Sequence, residues 1–171
     1  FNKNIQYKFN KQLNMENLEL VLPEIFLSIS IMFLLILGVF KKNSSKLIQT
    51  ISLIVLLITT MITFNETLSI EKMLLFNNSI IVDYLSSFMK IITLISAFFV
   101  LLISSSYLSI FKILKIEYPI LILSSVLGMM IMISSNDLIV FYMGLELQSL
   151  ALYVLATFNR DQLKSSEAGL K

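Results

Sequence analysis

Five apolar stretches, each close to the length of a membrane-spanning helix, constrain this chain more than any other feature. They run from about 20 to 40, 47 to 64, 80 to 107, 118 to 134 and 138 to 158. A spanning helix needs about 20 mostly apolar residues, because every backbone polar group must be bonded inside the segment. The polar connectors between the stretches leave no room for a soluble domain. The sequence therefore predicts an all-α polytopic membrane protein with five transmembrane helices.

Composition excludes several classes of function. The chain is 57% hydrophobic and 14% charged, whereas a soluble domain is about 45–50% apolar and about 25% charged. It has no Cys and no His, so the usual ligands of haem, iron–sulfur clusters, copper and structural zinc are missing. A formal net charge of +2 is too small to indicate nucleic-acid binding. We expect no metal, no bound cofactor and no catalytic chemistry on this chain alone, and a lipid bilayer as its surroundings.

Helix start signals agree with these boundaries. Pro23 and Pro119 each lie near the start of a span, where a missing N–H costs least. Asn136 and Asp137 precede the fifth span as capping residues. The connector before that span is short, so we expect the last two helices to form a tight hairpin.

Lys and Arg are unevenly distributed between the two sides of the membrane. The loops after spans one, three and five carry eight of them, against four on the other side. Short loops rich in these residues stay on the side of synthesis, so the C-terminus is predicted on the cytoplasmic or matrix side and the N-terminus across the membrane.

The first 18 residues form a separate segment. Phe1, Ile5, Phe9 and Leu13 recur every four residues, which is typical of a helix lying on a membrane surface. A frayed tail is the equally weighted alternative.

Four charged residues within the spans require explanation, because a charge at the centre of a spanning helix costs about 2.5–3.5 kcal/mol. Glu24 follows Pro23, and the simpler interpretation is that it satisfies free N–H groups at the helix start. Asp83 and Lys90 are seven residues apart, hence on one face of the third span. Asp83 and Lys90 could form structural ion pairs, or they could have a supporting role in transport, and the sequence leaves both interpretations open.

Glu146 is the fourth of these residues, and apolar residues flank it on both sides. It is eight residues inside the fifth span, about 12 Å along the helix axis, close to the middle of a core about 30 Å thick. Tyr142, Ser149 and Tyr153 share its face and form a polar stripe with it. A buried carboxylate near a cation can exchange protons, so we predict a proton relay at Glu146. The alternative is a salt bridge that only holds helices together.

The stretch from Leu127 to Ala156, with Gly-Leu-Glu-Leu-Gln-Ser-Leu at its centre, and the closing Ser-Ser-Glu-Ala-Gly-Leu-Lys resemble subunit 2 of NADH:ubiquinone oxidoreductase, respiratory complex I. This is the antiporter-like N subunit in bacteria. Leu22-Pro-Glu-Ile-Phe26 and the spacing of Asp83, Ser86, Phe88 and Lys90 also look like the family. The resemblance covers most of the chain from about residue 18 onward.

The resemblance implies a fold and a function. The implied fold has about fourteen helices and is built around two inverted five-helix repeats. The implied function is proton translocation across the membrane. In that pattern Glu146 pairs with a lysine on the seventh helix. NADH, FMN, iron–sulfur clusters and ubiquinone are then carried by partner subunits, and this chain is a non-redox subunit of the enzyme. The other membrane-arm subunits are its expected partners.

The chain ends where a sixth helix is expected to start. We divide it into a tail (1–18), helices one to three (19–112), and helices four and five with the start of a sixth (113–171). A half repeat would leave Glu146 without its cation, so we expect a second polypeptide to supply the remaining helices and channel lysines. The alternative is that they belong to the same chain.

Three functions fit these observations. The first is proton translocation coupled to NADH:ubiquinone electron transfer, in the mitochondrial inner membrane or, alternatively, the bacterial inner membrane. The second is a subunit of a related cation/proton antiporter. The third is a scaffold fragment of the membrane arm with no proton path of its own.

Overall fold

The computed structural model describes residues 20–40, 45–67, 73–76, 78–110 and 116–158. Helices account for most of them, as expected for segments that must bond their own backbone in lipid. The five helices are α1 (Leu22–Phe40), α2 (Ser45–Thr67), α3 (Tyr84–Ile110), α4 (Glu117–Ser134) and α5 (Leu138–Ala156).

The predicted all-α fold with five membrane-spanning helices is confirmed. Each of the five is long and apolar enough to cross a bilayer. Three boundaries differ from the prediction by three residues or more. Residues 80–82 form a strand, so α3 starts at Tyr84, and α2 and α3 each continue three residues past their expected ends, to Thr67 and Ile110. The predicted surface helix or tail at 1–18 and the start of a sixth helix after 158 lie outside the described residues.

Helices α1 to α4 form a four-helix bundle. Each packs against its two neighbours in the order α1, α2, α3, α4 and back to α1, while α5 packs against α4. The connectors before α2 and α5 are short, so the helices that they join run antiparallel. The bundle interior holds fully buried leucines from every helix of the ring, including Leu27, Leu56, Leu94 and Leu123. The fifth helix therefore lies outside the bundle with most of its surface uncovered by the described residues.

Polar side chains inside the bundle form hydrogen bonds within their own helix or with one neighbouring helix. The hydroxyls of Ser52, Thr59 and Thr63 donate to carbonyls three or four residues earlier in α2. The amide of Gln49 donates to the carbonyl of Leu101 at 3.2 Å, which links α2 to α3. Such bonds remove the cost of placing polar groups where no water can reach them.

A short β-hairpin covers one end of the bundle. Strands β1 (Met73–Leu75) and β2 (Ile80–Val82) pair antiparallel, with Leu75 opposite Ile80. The turn holds Asn78 at φ 68°, a left-handed conformation that Asn tolerates. Asn136, in the α4–α5 turn, donates its backbone N–H to Ser79 and its side-chain amide to the carbonyl of Asn78. The hairpin is thereby fastened to the turn that joins the last two helices.

The last two helices form the predicted hairpin, and two glycines let their backbones touch. A Cβ on Gly128 would lie 2.7 Å from the backbone nitrogen of Gln148 and 2.8 Å from the carbonyl oxygen of Gly144. A Cβ on Gly144 would meet the carbonyl oxygen of Gly128 at 2.9 Å. Only residues without a side chain fit at such a crossing.

The prolines lie at the helix starts where the sequence predicts them, but one of the predicted caps makes no capping hydrogen bond. Pro23 and Pro119 lie in the first turns of α1 and α4, and both are buried. Asp137 occupies the N-cap position of α5, but its side chain makes no capping hydrogen bond. Its neighbour Asn136 is instead engaged by the β-hairpin.

Candidate functional site

Glu24 and Lys90 form an ion pair across the bundle. Lys90 Nζ lies 2.5 Å from Glu24 Oε1, and the two side chains are 3% and 10% exposed. Glu24 therefore does not serve as a partner for free N–H groups at the start of α1, which was the simpler interpretation of its position. Lys90 is the seventh residue of α3, about 10 Å along the helix axis from its start. A charge at that depth needs a partner of opposite sign, and Glu24 provides it.

All four helices of the bundle contribute to this cluster. The carboxyl of Glu66, near the end of α2, is electrostatically coupled to both Glu24 and Lys90. The hydroxyl of Ser134, the last residue of α4, lies 3.5 Å from Glu24 Oε1. The other oxygen of Glu24, Oε2, is buried and has no hydrogen-bond partner among the residues that the structure describes. We call Glu24, Glu66, Lys90 and Ser134 the hairpin-end cluster, because the β-hairpin covers the same end of the bundle.

A cavity of about 520 Å³ adjoins this cluster. Its polar lining comes from Glu24, Lys90, Ser134 and Ser28, and the β-hairpin contributes Phe76, Ile80 and Val82 to its wall. The rest of the lining is apolar and comes from residues of α1 and α4 and the segment before α1. The ion pair thus lies at the polar part of a mainly apolar recess.

Asp83 caps α3. Its carboxyl Oδ1 accepts a hydrogen bond from the backbone N–H of Ser86 at 2.7 Å, and its own N–H donates to Ser86 Oγ at 3.0 Å. This reciprocal pattern is a capping box. Asp83 therefore precedes the helix, and Lys90 has its ion-pair partner on α1.

If Asp83 acts only as a cap, Asp83→Ala should destabilise the fold by about 1 kcal/mol, the usual cost of losing an N-cap side chain. Asp83→Asn should recover most of that stability, because the cap needs an acceptor oxygen rather than a charge. Thermal unfolding of the assembled protein measures both variants. A proton-transfer defect in the stable Asn variant would argue instead for a role of the charge itself.

Glu146 lies on the face of α5 that points away from α4. It is two residues from Gly144, hence about 200° around the helix from the close crossing. Tyr142 and Tyr153 on the same face are 58% and 59% exposed, and Glu146 and Ser149 are half-buried. The phenol of Tyr142 interacts with the carboxyl of Glu146. The hydroxyl of Ser149 donates to the backbone carbonyl of Glu146 rather than to its carboxylate.

The structure keeps the two groups of predicted site residues apart. Glu24 and Lys90 meet inside the bundle, whereas Glu146, Tyr142, Ser149 and Tyr153 form a stripe on its outside. Within the part of the chain that the structure describes, no group of three or more His, Cys, Asp or Glu side chains could hold a metal ion.

Glu66 was absent from the predicted site because the second span was expected to end at residue 64. The signal was present in the sequence. Ser52, Thr59, Thr63 and Glu66 are spaced by seven, four and three residues, which places them on one face of a helix. The first three are fully or almost fully buried, so a polar stripe continuing to Glu66 marks the bundle-facing side of α2.

Comparison with known proteins finds relatives over most of the chain. A family described as NADH:quinone oxidoreductase/Mrp antiporter, transmembrane, matches residues 135–171. The chain is 66% identical over 157 residues to NADH-quinone oxidoreductase subunit N of Pelagibacter ubique, covering 92% of this chain and 33% of that protein.

Two further bacterial relatives carry the same name. The subunit N of Bartonella bacilliformis is 48% identical over 90% of this chain and 31% of its own length. That of Maricaulis maris is 47% identical over 91% of this chain and 32% of its own length. The chain thus spans about a third of the length of these curated relatives. It is a helical membrane chain similar, over nearly all of its own length, to bacterial proteins named NADH-quinone oxidoreductase subunit N.

Proposed function

We propose that this chain provides the first five transmembrane helices of a membrane-arm subunit of a proton-translocating NADH:quinone oxidoreductase. Its similarity to subunit N carries this proposal. The organisms of these relatives favour the bacterial inner membrane over the mitochondrial one. The Lys and Arg distribution favours a cytoplasmic C-terminus. NADH, FMN, iron–sulfur clusters and quinone belong to partner subunits, and the subunit itself performs no redox chemistry.

Glu146 takes part in moving protons in this proposal. It lies about 12 Å into α5 on a face that the described helices leave partly uncovered. A carboxylate facing lipid at that depth is costly, so further helices must cover the stripe of Tyr142, Glu146, Ser149 and Tyr153. The relatives are about three times as long as this chain, which leaves ample length for the covering helices and a partner cation, on the same polypeptide or on a second one.

Glu146→Gln in the assembled complex tests the relay. We expect NADH-driven proton pumping into inverted vesicles to fall about tenfold, equivalent to ~1.4 kcal/mol on the rate-limiting step. NADH oxidation by an artificial electron acceptor should stay unchanged, because that reaction takes place in other subunits. Glu117→Gln, at an exposed site in the first turn of α4, is the matched control and should pump normally.

Two results would favour a scaffold role instead. One is undiminished pumping by an assembled Glu146→Gln complex. The other is failure of the complex to assemble while Glu117→Gln assembles normally.

A cation/proton antiporter is the second candidate, since the matching family description names both kinds of protein. Purification distinguishes the two. A chain that copurifies with flavin and iron–sulfur subunits belongs to the oxidoreductase, and a chain that copurifies only with other membrane subunits supports the antiporter.

A further inference from the structure

We propose that the outer surfaces of α2 and α3 form a lipid-facing side of the assembled subunit, covered by bilayer phospholipids and not by another protein. This lipid-facing side includes Leu57 and Met61 of α2 and Ile92, Phe99 and Ile103 of α3, which are all exposed in the part of the chain that the structure describes. An apolar surface alone does not distinguish contact with lipid from contact with another helix. Polar groups, the spacing of residues at the helix ends and the position of α5 make that distinction.

Polar groups of these two helices point inward or bond within their own helix. Lys90 is the only charged residue between positions 47 and 65 or between 84 and 107, and its side chain is buried inside the bundle. The hydroxyls of Thr60 and Ser96 donate to carbonyls three residues earlier in the same helix. A surface in contact with lipid must satisfy its polar groups internally. The stripe on α5 differs, because it carries a carboxyl group and two exposed phenols.

Two tyrosines lie near the ends of α3 at the spacing expected for the two membrane interfaces. Tyr84 and Tyr107 are 70% and 60% exposed. They are 23 positions apart, about 34 Å along the helix axis, which is slightly more than a hydrocarbon core of about 30 Å. Tyrosine is enriched at membrane interfaces, where the ring contacts apolar chains and the phenol reaches polar headgroups. The spacing therefore favours Tyr84 at the outer interface and Tyr107 at the cytoplasmic one.

Helix α2 gives a similar thickness independently. Lys46 and Asn65 are exposed polar residues near its two ends, and their 19 positions correspond to about 29 Å along the helix axis. The exposed residues between them are apolar except for Thr50, whose hydroxyl donates to the carbonyl of Lys46 within the helix. Two adjoining helices thus present an apolar surface about as long as the hydrocarbon core is thick.

The position of α5 separates this side from the rest of the subunit. Helix α5 packs against α4, which lies at the corner of the ring opposite α2. The helices that cover the stripe on α5 must lie beside α5, a step that rests on the function proposed above. Those helices are therefore on the far side of the ring from α2, and the outer surfaces of α2 and α3 remain in contact with lipid.

Photocrosslinking of the assembled complex in its native membrane tests the proposal. The benzophenone amino acid p-benzoylphenylalanine replaces Phe99 on the lipid-facing side or, as the matched control, the similarly exposed Tyr142 on the α5 stripe. After irradiation, mass spectrometry of the subunit should find mainly phospholipid adducts at position 99 and mainly peptide adducts at position 142. Peptide adducts at position 99, or no lipid adduct there, would overturn the proposal. Lipid adducts at both positions would support the lipid-facing side and contradict the proposed covering of α5.

Two alanine substitutions on α3 give a second measurement. Ile103 is 72% exposed, whereas Leu101 is fully buried. Fluid lipid chains refill the space that a removed side chain leaves, but a packed protein contact closes such a space only partly. We expect Ile103→Ala to keep the assembled fraction after heating within about twofold of wild type, and Leu101→Ala to lower it about tenfold or more. An equal loss in both variants would overturn the proposal, because it would place Ile103 in a packed protein contact.

Discussion

Lys90→Met is expected to destabilise the subunit by about 3–5 kcal/mol, because it leaves the buried carboxyl of Glu24 without its counter-charge. Met has a similar length and no charge, so the change removes the ion pair with little change in packing. Unfolding of the full-length subunit in increasing SDS gives the free energy, and native gels give the fraction of assembled complex.

The double variant Glu24→Gln with Lys90→Met tests whether the loss of stability comes from leaving one charge of the pair without the other. Removing both charges of a buried pair is often nearly neutral, so the double variant should recover most of the lost stability. Lys46→Met, at an exposed site in the first turn of α2, should change stability by no more than about 0.5 kcal/mol. If the effects of the two single substitutions simply add in the double variant, Glu24 and Lys90 are not energetically coupled.

Gly128→Ala should destabilise the α4–α5 hairpin by about 1–3 kcal/mol, the usual cost of inserting a methyl group into a closely packed contact. The new Cβ would lie 2.7–2.8 Å from backbone atoms of α5. Backbone cannot rotate aside as a side chain can, so the helices must separate. The assembled fraction of the complex after heating, resolved on native gels, measures the loss.

Gly38→Ala is the matched control for this substitution. Its Cβ would also meet an atom at 2.7 Å, but that atom is Cγ2 of the Ile116 side chain and not a backbone atom, so this substitution should cost less. Both substitutions gain the same helix propensity, so the difference between them reports the backbone contact. Gly144→Ala, on the other side of the crossing, should resemble Gly128→Ala. Equal stability of Gly128→Ala and Gly38→Ala would contradict this account of the crossing.

The membrane-spanning architecture was predictable because it depends on local properties of the chain. An apolar segment of about 20 residues has few alternatives to a helix in lipid, and the short connectors before α2 and α5 make the helices that they join run antiparallel. The boundary errors were small and had local causes. Residues 80–82 continue the apolar run into α3 but form a strand with 73–75, and hydropathy does not distinguish the two conformations.

The candidate site was only partly predictable. Each of Glu24, Lys90 and Glu146 could be singled out from its sequence alone, since an ionisable residue in an apolar segment is costly. Which of these residues contact one another could not be predicted from the sequence of each segment. Helical spacing placed Lys90 on one face with Asp83, yet Asp83 caps the helix and the partner of Lys90 is 66 positions away on α1.

Sequence by itself determined that this chain lies in a membrane, that five of its segments are long and apolar enough to cross it, and that it carries a few charges that need partners. Those conclusions follow from length, hydropathy and the cost of burying a charge, which are properties of single segments. The tertiary structure alone decided which charges meet. Closing four helices into a ring brings Glu24, Glu66, Lys90 and Ser134 to one end of its interior and leaves Glu146 on an outer face, because the arrangement of helices around the bundle is set by packing between segments far apart in the chain.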